Sequence, residues 1–204
     1  MTLVIQDDLS SYTVGTSING GAGGSGWSAN WVGTNANITS PIAPLVVKNF
    51  YHSATNSGTS RNFNIPATNK VRFTCYMRRT SSNALIYFGL AMYSQICFTF
   101  GAGGYNQYRD YGVLVNATNP FPNLNQWYKA TIEVNITITT NNIKFYVDDV
   151  LKHTGSANIS NTGTPQFFSS QSGYGAGIYY ADFKIDDMAG SGGSSQNSNF
   201  LELM

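Results

Sequence analysis

The chain of 204 residues is 42% hydrophobic, enough to bury one substantial core, and no apolar run in it is long enough to span a membrane. Only 10% of the residues are charged, and the formal net charge of +1 gives no electrostatic reason to expect nucleic acid or an anionic membrane as a partner. Aromatic residues reach 14%, and Asn, Ser, Thr and Gly replace the missing charges. Because this mixture suits strands and turns better than helices, we predict an all-β protein.

The predicted strands follow from the alternation of apolar and polar residues with a period of two. One buried face per strand is typical of antiparallel sheets that pack as a sandwich. Two neighbouring segments in the middle of the chain are apolar on both faces and are predicted to be more deeply buried. The predicted strands cover residues 70–78, 84–93, 94–100, 127–138, 143–147 and 179–186.

Clusters of Gly, Ser, Asn and Thr predict the connections between these strands. Residues 19–26, 53–61 and 102–111 are expected to be loops. Residues 140–142, Thr-Asn-Asn, are expected to form a tight hairpin turn between two long strands.

The C-terminal end differs in composition from the rest, which divides the chain into one domain (1–189) and a tail (190–204). Residues 190–199 are a Gly/Ser/Asn linker, and the last five residues are mostly apolar. An apolar peptide on a flexible linker would otherwise lie exposed, so we predict a homo-oligomer in which the tail docks on a neighbouring subunit, with docking on its own sandwich as the alternative. The predicted docking residues are Phe200, Leu201, Leu203 and Met204.

The cysteines and histidines carry little chemistry by themselves. Cys75 lies on the apolar face of its strand, and we predict that Cys75 and Cys97 are buried thiols, although one disulfide stays open as an alternative. His52 and His153 stand among polar residues and are predicted to be solvated. No Ser-His-Asp arrangement is evident in the sequence.

Three stretches resemble the concanavalin A-like lectin/glucanase superfamily, in its laminin-G-like jelly-roll branch. The opening, residues 7–31, is acidic, aromatic and Gly-rich and includes the paired tryptophans Trp27 and Trp31, as in many bacterial and phage members. Residues 126–134 and 143–151 resemble the family's long hairpin, in which a strand with Trp-Tyr precedes a strand of the form I-x-x-Y-V-D-G-x-L. This sequence has Asp149 where the family usually has Gly. Residues 177–185 resemble the family's closing strand.

The resemblance implies a two-sheet antiparallel jelly-roll sandwich, but it does not choose among the family's sugar binders, glycoside hydrolases and structural modules. The family's glucanases carry Glu-x-Asp-x-x-Glu on one strand, and this motif is absent. Glu133 and Glu202 are the only glutamates, and Glu133 is predicted to be a solvated strand residue. We therefore predict that the protein is not an enzyme, with a glycoside hydrolase as the weakest alternative.

Sugar recognition needs aromatic rings against the apolar face of the sugar and polar groups for its hydroxyls. One predicted loop offers both, although it could equally pack on itself or on a neighbour. Its tyrosines would stack, and its amide and charged side chains would form hydrogen bonds. The predicted glycan contacts are Tyr105, Asn106, Gln107, Tyr108, Arg109, Asp110 and Tyr111.

Calcium is the ion that the resemblance implies most readily, because carboxylates and carbonyls of loops bind it in the family. No cofactor is otherwise predicted. The alternative is that the acidic residues simply lie on the surface at strand ends. The candidate ligands are Asp7, Asp8, Asp182, Asp186 and Asp187.

Two classes of function compete at this point. The first residues contain neither the basic nor the long apolar segment of a secretory signal, and the chain is poor in charge. These features favour a non-catalytic bacteriophage virion protein: a capsid decoration, fibre or tail-associated subunit at the virion surface, assembled with other subunits and contacting host polysaccharide. The alternative is an exported carbohydrate-binding lectin or adhesin, extracellular or on a cell surface.

Overall fold

The computed structural model describes residues 1–52, 57–66, 68–81, 84–92, 94–100, 106–159, 165–173 and 177–189. Within these ranges the regular structure consists of β-strands, without a helix, as predicted. The predicted linker and the docking residues Phe200, Leu201, Leu203 and Met204 lie outside the described residues, so their role stays a prediction.

The strands of the described chain form two antiparallel sheets. In chain order they are β1 (Thr2–Asp7), β2 (Val32–Thr34), β3 (Ala36–Thr39), β4 (Asn49–His52), β5 (Ser57–Asn62), β6 (Lys70–Arg79), β7 (Ala84–Met92), β8 (Ser94–Phe100), β9 (Gln107–Asp110), β10 (Val113–Asn116), β11 (Trp127–Asn135), β12 (Ile143–Val147), β13 (Val150–Gly155), β14 (Gln166–Gly173) and β15 (Ile178–Asp187). An eight-stranded sheet has the order β13-β12-β11-β6-β15-β4-β3, with β1 also paired to β15. A seven-stranded sheet has the order β10-β9-β8-β7-β14-β5-β2. The two-sheet sandwich is the predicted fold.

The core lies between the two sheets, where aromatic rings from both meet. In β6 the alternation is as predicted, because Val71, Phe73, Cys75 and Met77 are fully buried. The Phe73 ring reaches Phe167 of the other sheet, with ring centroids 5.0 Å apart. Burying a side chain of this size contributes about 2–3 kcal/mol relative to exposure. Both cysteines are buried free thiols, which confirms that prediction.

Two predicted connections differ in the structure. Residues 57–62 form strand β5 rather than loop, because Ser57, Thr59 and Arg61 point inward and find polar partners there. Strand β11 ends at Asn135, so the connection to β12 covers residues 136–142 instead of a three-residue turn. Its shape is held by the Asn142 amide, which donates to three backbone carbonyls.

The hairpin between β12 and β13 turns on Asp148 and Asp149. Both adopt left-handed backbone conformations, with φ of 50° and 61°. Two consecutive residues of this kind make the type I′ turn that matches strand twist. Asp149 therefore takes the position that Gly usually occupies. Asp tolerates the left-handed conformation of this position better than most residues do.

Both histidine predictions and the Glu133 prediction are wrong. His52 is fully buried, and His153 pairs with a carboxylate of the opposite sheet. Glu133 is buried because Arg72 of the neighbouring strand donates to it, with the Arg72 Nε 2.7 Å from Glu133 Oε1. The Tyr146 hydroxyl donates to its second oxygen at 3.1 Å. Each of these polar groups is buried because it has a hydrogen-bonding partner, on the adjacent strand for Glu133 and on the opposite sheet for His52 and His153, and the pattern of a single strand does not reveal such partners.

Candidate functional site

The segment predicted to bind glycan is split by the alternation of strand β9. Tyr105 lies outside the described residues. Asn106 precedes the strand, and its carbonyl accepts a hydrogen bond from the Ala117 amide at 2.7 Å. Tyr111 turns the chain into β10 with a φ of 52°. Within β9 itself, successive side chains face opposite sides of the sheet.

The inward-facing residues of β9 belong to a cluster between the sheets. The Tyr108 ring is 5% exposed and stacks on His153, with centroids 4.7 Å apart. Asp110 Oδ2 lies 2.8 Å from His153 Nε2. Gly155 leaves room for this carboxylate, since a Cβ there would lie 2.4 Å from it. Tyr108 and Asp110 are therefore corrected from exposed glycan contacts to core residues.

The outward-facing residues of β9 are Gln107 and Arg109. The Gln107 amide donates to the Asn116 amide oxygen of β10 at 3.0 Å. Both Gln107 and Arg109 are partly exposed. They remain predicted glycan contacts, now placed on the outer face of the seven-stranded sheet rather than in a loop.

The opposite edge of the same sheet carries a groove of about 300 Å³. Val32 of β2, Ser60 of β5 and Phe168 of β14 lie directly opposite one another in register and form a row across three strands. Val32 is 64% exposed, and Phe168 is half-buried. The row therefore places the Ser60 hydroxyl between two apolar side chains, with about 4.8 Å between each pair of neighbouring strands. The groove is lined by Val32, Gly33, Thr34, Gly58, Thr59, Ser60, Phe168 and Ser169.

A chain of neutral hydrogen bonds lies beneath the groove and joins the two sheets. The hydroxyls of Thr59 and Ser169 are 2.6 Å apart, and His52 Nε2 lies 3.0 Å from the Ser169 hydroxyl. Burial lowers the pKa of His52 to about 4, so the ring is neutral at physiological pH. His52 Nδ1 has no hydrogen-bond partner in the described chain, and so no acid orients this Ser-His pair there as a catalytic triad requires.

The sequence prediction missed this groove, although one signal points to it. Phe167 and Phe168 are consecutive in a strand, and successive strand residues face opposite sides. One of the two rings must therefore leave the core, and it is Phe168. The partner strands that complete the groove are more than a hundred residues away and cannot be identified from this pair.

The acidic opening of the chain forms a structural network around Asp7. Arg61 Nη1 lies 2.5 Å from Asp7 Oδ2, and both side chains are almost fully buried. The Trp31 indole and the Tyr12 hydroxyl donate to the same oxygen at 2.8 and 2.9 Å. Burial, followed by the Asp7 charge, raises the pKa of Tyr12 to about 12. The Arg61 guanidinium also lies 4.8 Å from the Trp27 ring centroid. Donors surround Asp7, so it is placed as the acceptor of this network rather than as an open metal ligand.

Each of the other candidate calcium ligands accepts a hydrogen bond, forms an ion pair or lies opposite a cation. Asp8 Oδ1 accepts from the Ser10 amide at 2.9 Å, and Asp182 pairs with Lys184 at 2.6 Å. Asp187 accepts from the Thr68 hydroxyl, while Asp186 lies opposite Arg72 in the sheet register. In the part of the chain that the structure describes, no three His, Cys, Asp or Glu residues are grouped to hold a metal ion. No helix in that part is long and apolar enough to cross a membrane.

Comparisons with known proteins agree with the fold. No protein-family model and no curated sequence matches the chain. Among solved structures, the chain is similar to the botulinum neurotoxin serotype D binding domain (14% identity, 90% of this chain and 48% of that one, TM-score 0.57). It is also similar to the Emp47p carbohydrate recognition domain (11%, 77% and 88%, 0.51). A third similar structure is domain 4 of AbnA, an arabinanase from Geobacillus stearothermophilus, in complex with arabinotriose (10%, 90% and 91%, 0.51).

These likenesses define the class of the fold: a lectin-like jelly-roll sandwich, as the sequence resemblance implied. The chain spans about half the length of the botulinum toxin binding domain. At identities of 10–14% the likeness establishes the fold alone.

Proposed function

We propose that the protein is a carbohydrate-binding, lectin-like module and that the groove beside Phe168 is its binding site. The observation that carries the proposal is the row of Val32, Ser60 and Phe168 on an outer sheet face. An aromatic ring and an aliphatic side chain offer contact to the C–H face of a sugar, and the hydroxyl between them offers a hydrogen bond.

The charge and size of the groove indicate the kind of saccharide. All eight lining residues are uncharged, which suits a neutral sugar. A volume of about 300 Å³ is at the lower end of ligand sites, so the groove suits a short saccharide unit. Two structural neighbours support this class of ligand: one is called a carbohydrate recognition domain, and the other was solved with arabinotriose.

The direct test is a glycan array with the intact chain, followed by calorimetric titration of any saccharide that binds. Phe168→Ala should weaken binding at least about tenfold, and Ser60→Ala should weaken it several-fold, because each removes one element of the row. Val113→Ala is a matched control, since Val113 is as exposed as Val32 but lies at the other edge of the same sheet. Binding that survives Phe168→Ala unchanged would exclude the groove.

The segment predicted from the sequence gives a second arm of the test. Gln107→Ala changes an outward-facing amide without opening the core, whereas Tyr108→Ala would create a core cavity. If Gln107→Ala abolishes binding and Phe168→Ala does not, the site belongs to β9 instead of the groove.

The virion role is a finer proposal on the same fold. Low charge and exposed apolar side chains on the edge strands β10 and β13 support a protein that works by surface contact. We expect a homo-oligomer that contains fewer subunits when residues 190–204 are deleted. An unchanged number of subunits would reject tail-mediated assembly. Cleavage of a polysaccharide by the purified chain would instead favour the glycoside hydrolase.

A further inference from the structure

The acidic residues of this chain are few enough to account for individually. All ten except Glu202 lie in the described part of the structure. Four of them form ion pairs there with Arg or Lys, Asp110 is hydrogen-bonded to His153, and the rest accept from backbone or hydroxyl donors or lie beside a cation already paired. The ion pairs are Asp7–Arg61, Glu133–Arg72, Asp149–Lys129 and Asp182–Lys184.

Arg79, at the end of β6, is a buried cation that this set leaves unpaired. Arg79 is 4% exposed, and its Nη2 donates to the Phe121 carbonyl at 2.7 Å. Its Nε is buried and has no hydrogen-bond partner among the residues that the structure describes. Among the described residues, no carboxylate forms an ion pair with it.

The isolation of Arg79 is energetically unfavourable. A guanidinium stays charged in proteins, and a buried charge is normally paired or hydrogen-bonded through all its donors. Burial also lowers the pKa of Arg79, because removing the charged guanidinium from water is unfavourable. One carbonyl does not neutralise a positive charge.

Residues of the connection between β10 and β11 lie against the end of β6 that carries Arg79. The segment 119–126 closes over the end of the strand: the Asn125 amide donates to the Arg79 carbonyl at 2.6 Å. Neighbouring Arg78 points to the outer face and donates to the Asn125 carbonyl and side chain at 3.0 and 3.1 Å. Arg78 also lacks a carboxylate partner in the described chain, so two adjacent cations mark this end of the sheet.

We propose that Arg79 anchors an anion-binding site at this end of the eight-stranded sheet and that the ligand is the carboxylate of an acidic saccharide. The anion follows from the unpaired guanidinium, and the saccharide rests on the proposed lectin-like function. Arg forms paired, charge-assisted hydrogen bonds with a carboxylate, and the Nε is the free donor that such a pair uses. The site is separate from the neutral groove, which lies on the other sheet.

The test is an NMR titration of the full-length chain with glucuronate, with glucose, and with sulfate at the same ionic strength. We expect glucuronate to bind and glucose not to bind, and Arg79→Met to weaken glucuronate binding about tenfold or more. Equal binding of sulfate and glucuronate would overturn the saccharide assignment. Glucuronate binding that is unaffected by Arg79→Met would overturn the site.

Two further variants separate this inference from its alternatives. Phe168→Ala should leave glucuronate binding unchanged, so failure of the groove and failure of the Arg79 site are distinguishable. Glu202 is the one acidic side chain outside the described residues, so Glu202→Gln is made in the full chain. If only the Glu202→Gln chain binds glucuronate, the tail occupies the site and the saccharide proposal is wrong.

Discussion

Two buried arginines, Arg61 and Arg79, meet opposite surroundings in the same sandwich. Arg61 reaches Asp7 at 2.5 Å, the Gly23 carbonyl at 2.7 Å and the face of Trp27. Arg79 has a single carbonyl partner and no counter-charge among the described residues. The comparison teaches that burial alone does not define a role: a fully paired charge organises the fold, whereas an unpaired one is a candidate for binding a ligand.

The largest effect should come from breaking the paired arginine. Asp7→Asn leaves the Arg61 charge buried without its carboxylate, which costs about 3–5 kcal/mol of the free energy of unfolding. Chemical denaturation measures this. A loss below about 1 kcal/mol would mean that the network is not what fastens the opening segment to the sandwich.

The neutral His52 in the hydrogen-bond network beneath the groove should make the stability of the fold depend on pH. The pKa of His52 is about 4 in the folded state and near 6.5 in the unfolded chain. The unfolded state therefore takes up a proton first, and stability that is complete above pH 6.5 is lost as the pH falls towards 4, by about 3 kcal/mol.

Denaturation of the wild type and of His52→Gln across this pH range isolates the contribution of His52 to the free energy of unfolding. The difference in unfolding free energy between the two chains should shrink as the pH falls. A difference that stays constant from pH 7 to pH 4 would contradict a buried neutral His52.

Arg79→Met should change stability much less than Asp7→Asn, by about 1 kcal/mol or less in either direction. The apolar side chain loses one hydrogen bond, but it also removes an uncompensated buried charge. Thermal unfolding compares the two variants directly. A loss of several kcal/mol would make Arg79 a structural residue like Arg61 and remove the contrast.

The smallest effect is expected at an exposed ion pair. Lys129 and Asp149 lie 2.8 Å apart at the β12–β13 hairpin, where the Asp149 side chain is largely exposed. Asp149→Asn should change the unfolding free energy by less than about 0.5 kcal/mol, measured as for Asp7→Asn. Because Asn also tolerates the left-handed conformation, a larger loss would show that this ion pair contributes more than exposed pairs usually do.

Much of the fold could be predicted from alternation, and the reasons for the failures are physical. Strands such as β6 are amphipathic, so their buried faces are visible in the sequence. Strand β5 is not, because Thr59 and Arg61 point inward to partners on β14 and β1. Loop-like composition therefore concealed a strand whose polar residues are satisfied only in the assembled sandwich.

The candidate sites were harder to predict because they depend on register between distant strands. Residues 105–111 were predicted from composition to be a binding segment, but the alternation of strand β9 turns Tyr108 into the core. Ser60 and Phe168 meet only because β5 and β14 pair. Arg79 is unusual only because no carboxylate of the described residues forms an ion pair with it. Local patterns contain neither kind of information.

The central claim, a lectin-like module with its groove beside Phe168, is tested most directly by an NMR titration of the intact chain with a saccharide that it binds on an array. The account predicts that the amide signals of Thr34, Ser60 and Phe168 shift together on binding, and that Phe168→Ala removes these shifts. Shifts confined to residues 107–116, with Ser60 and Phe168 unaffected, would contradict it.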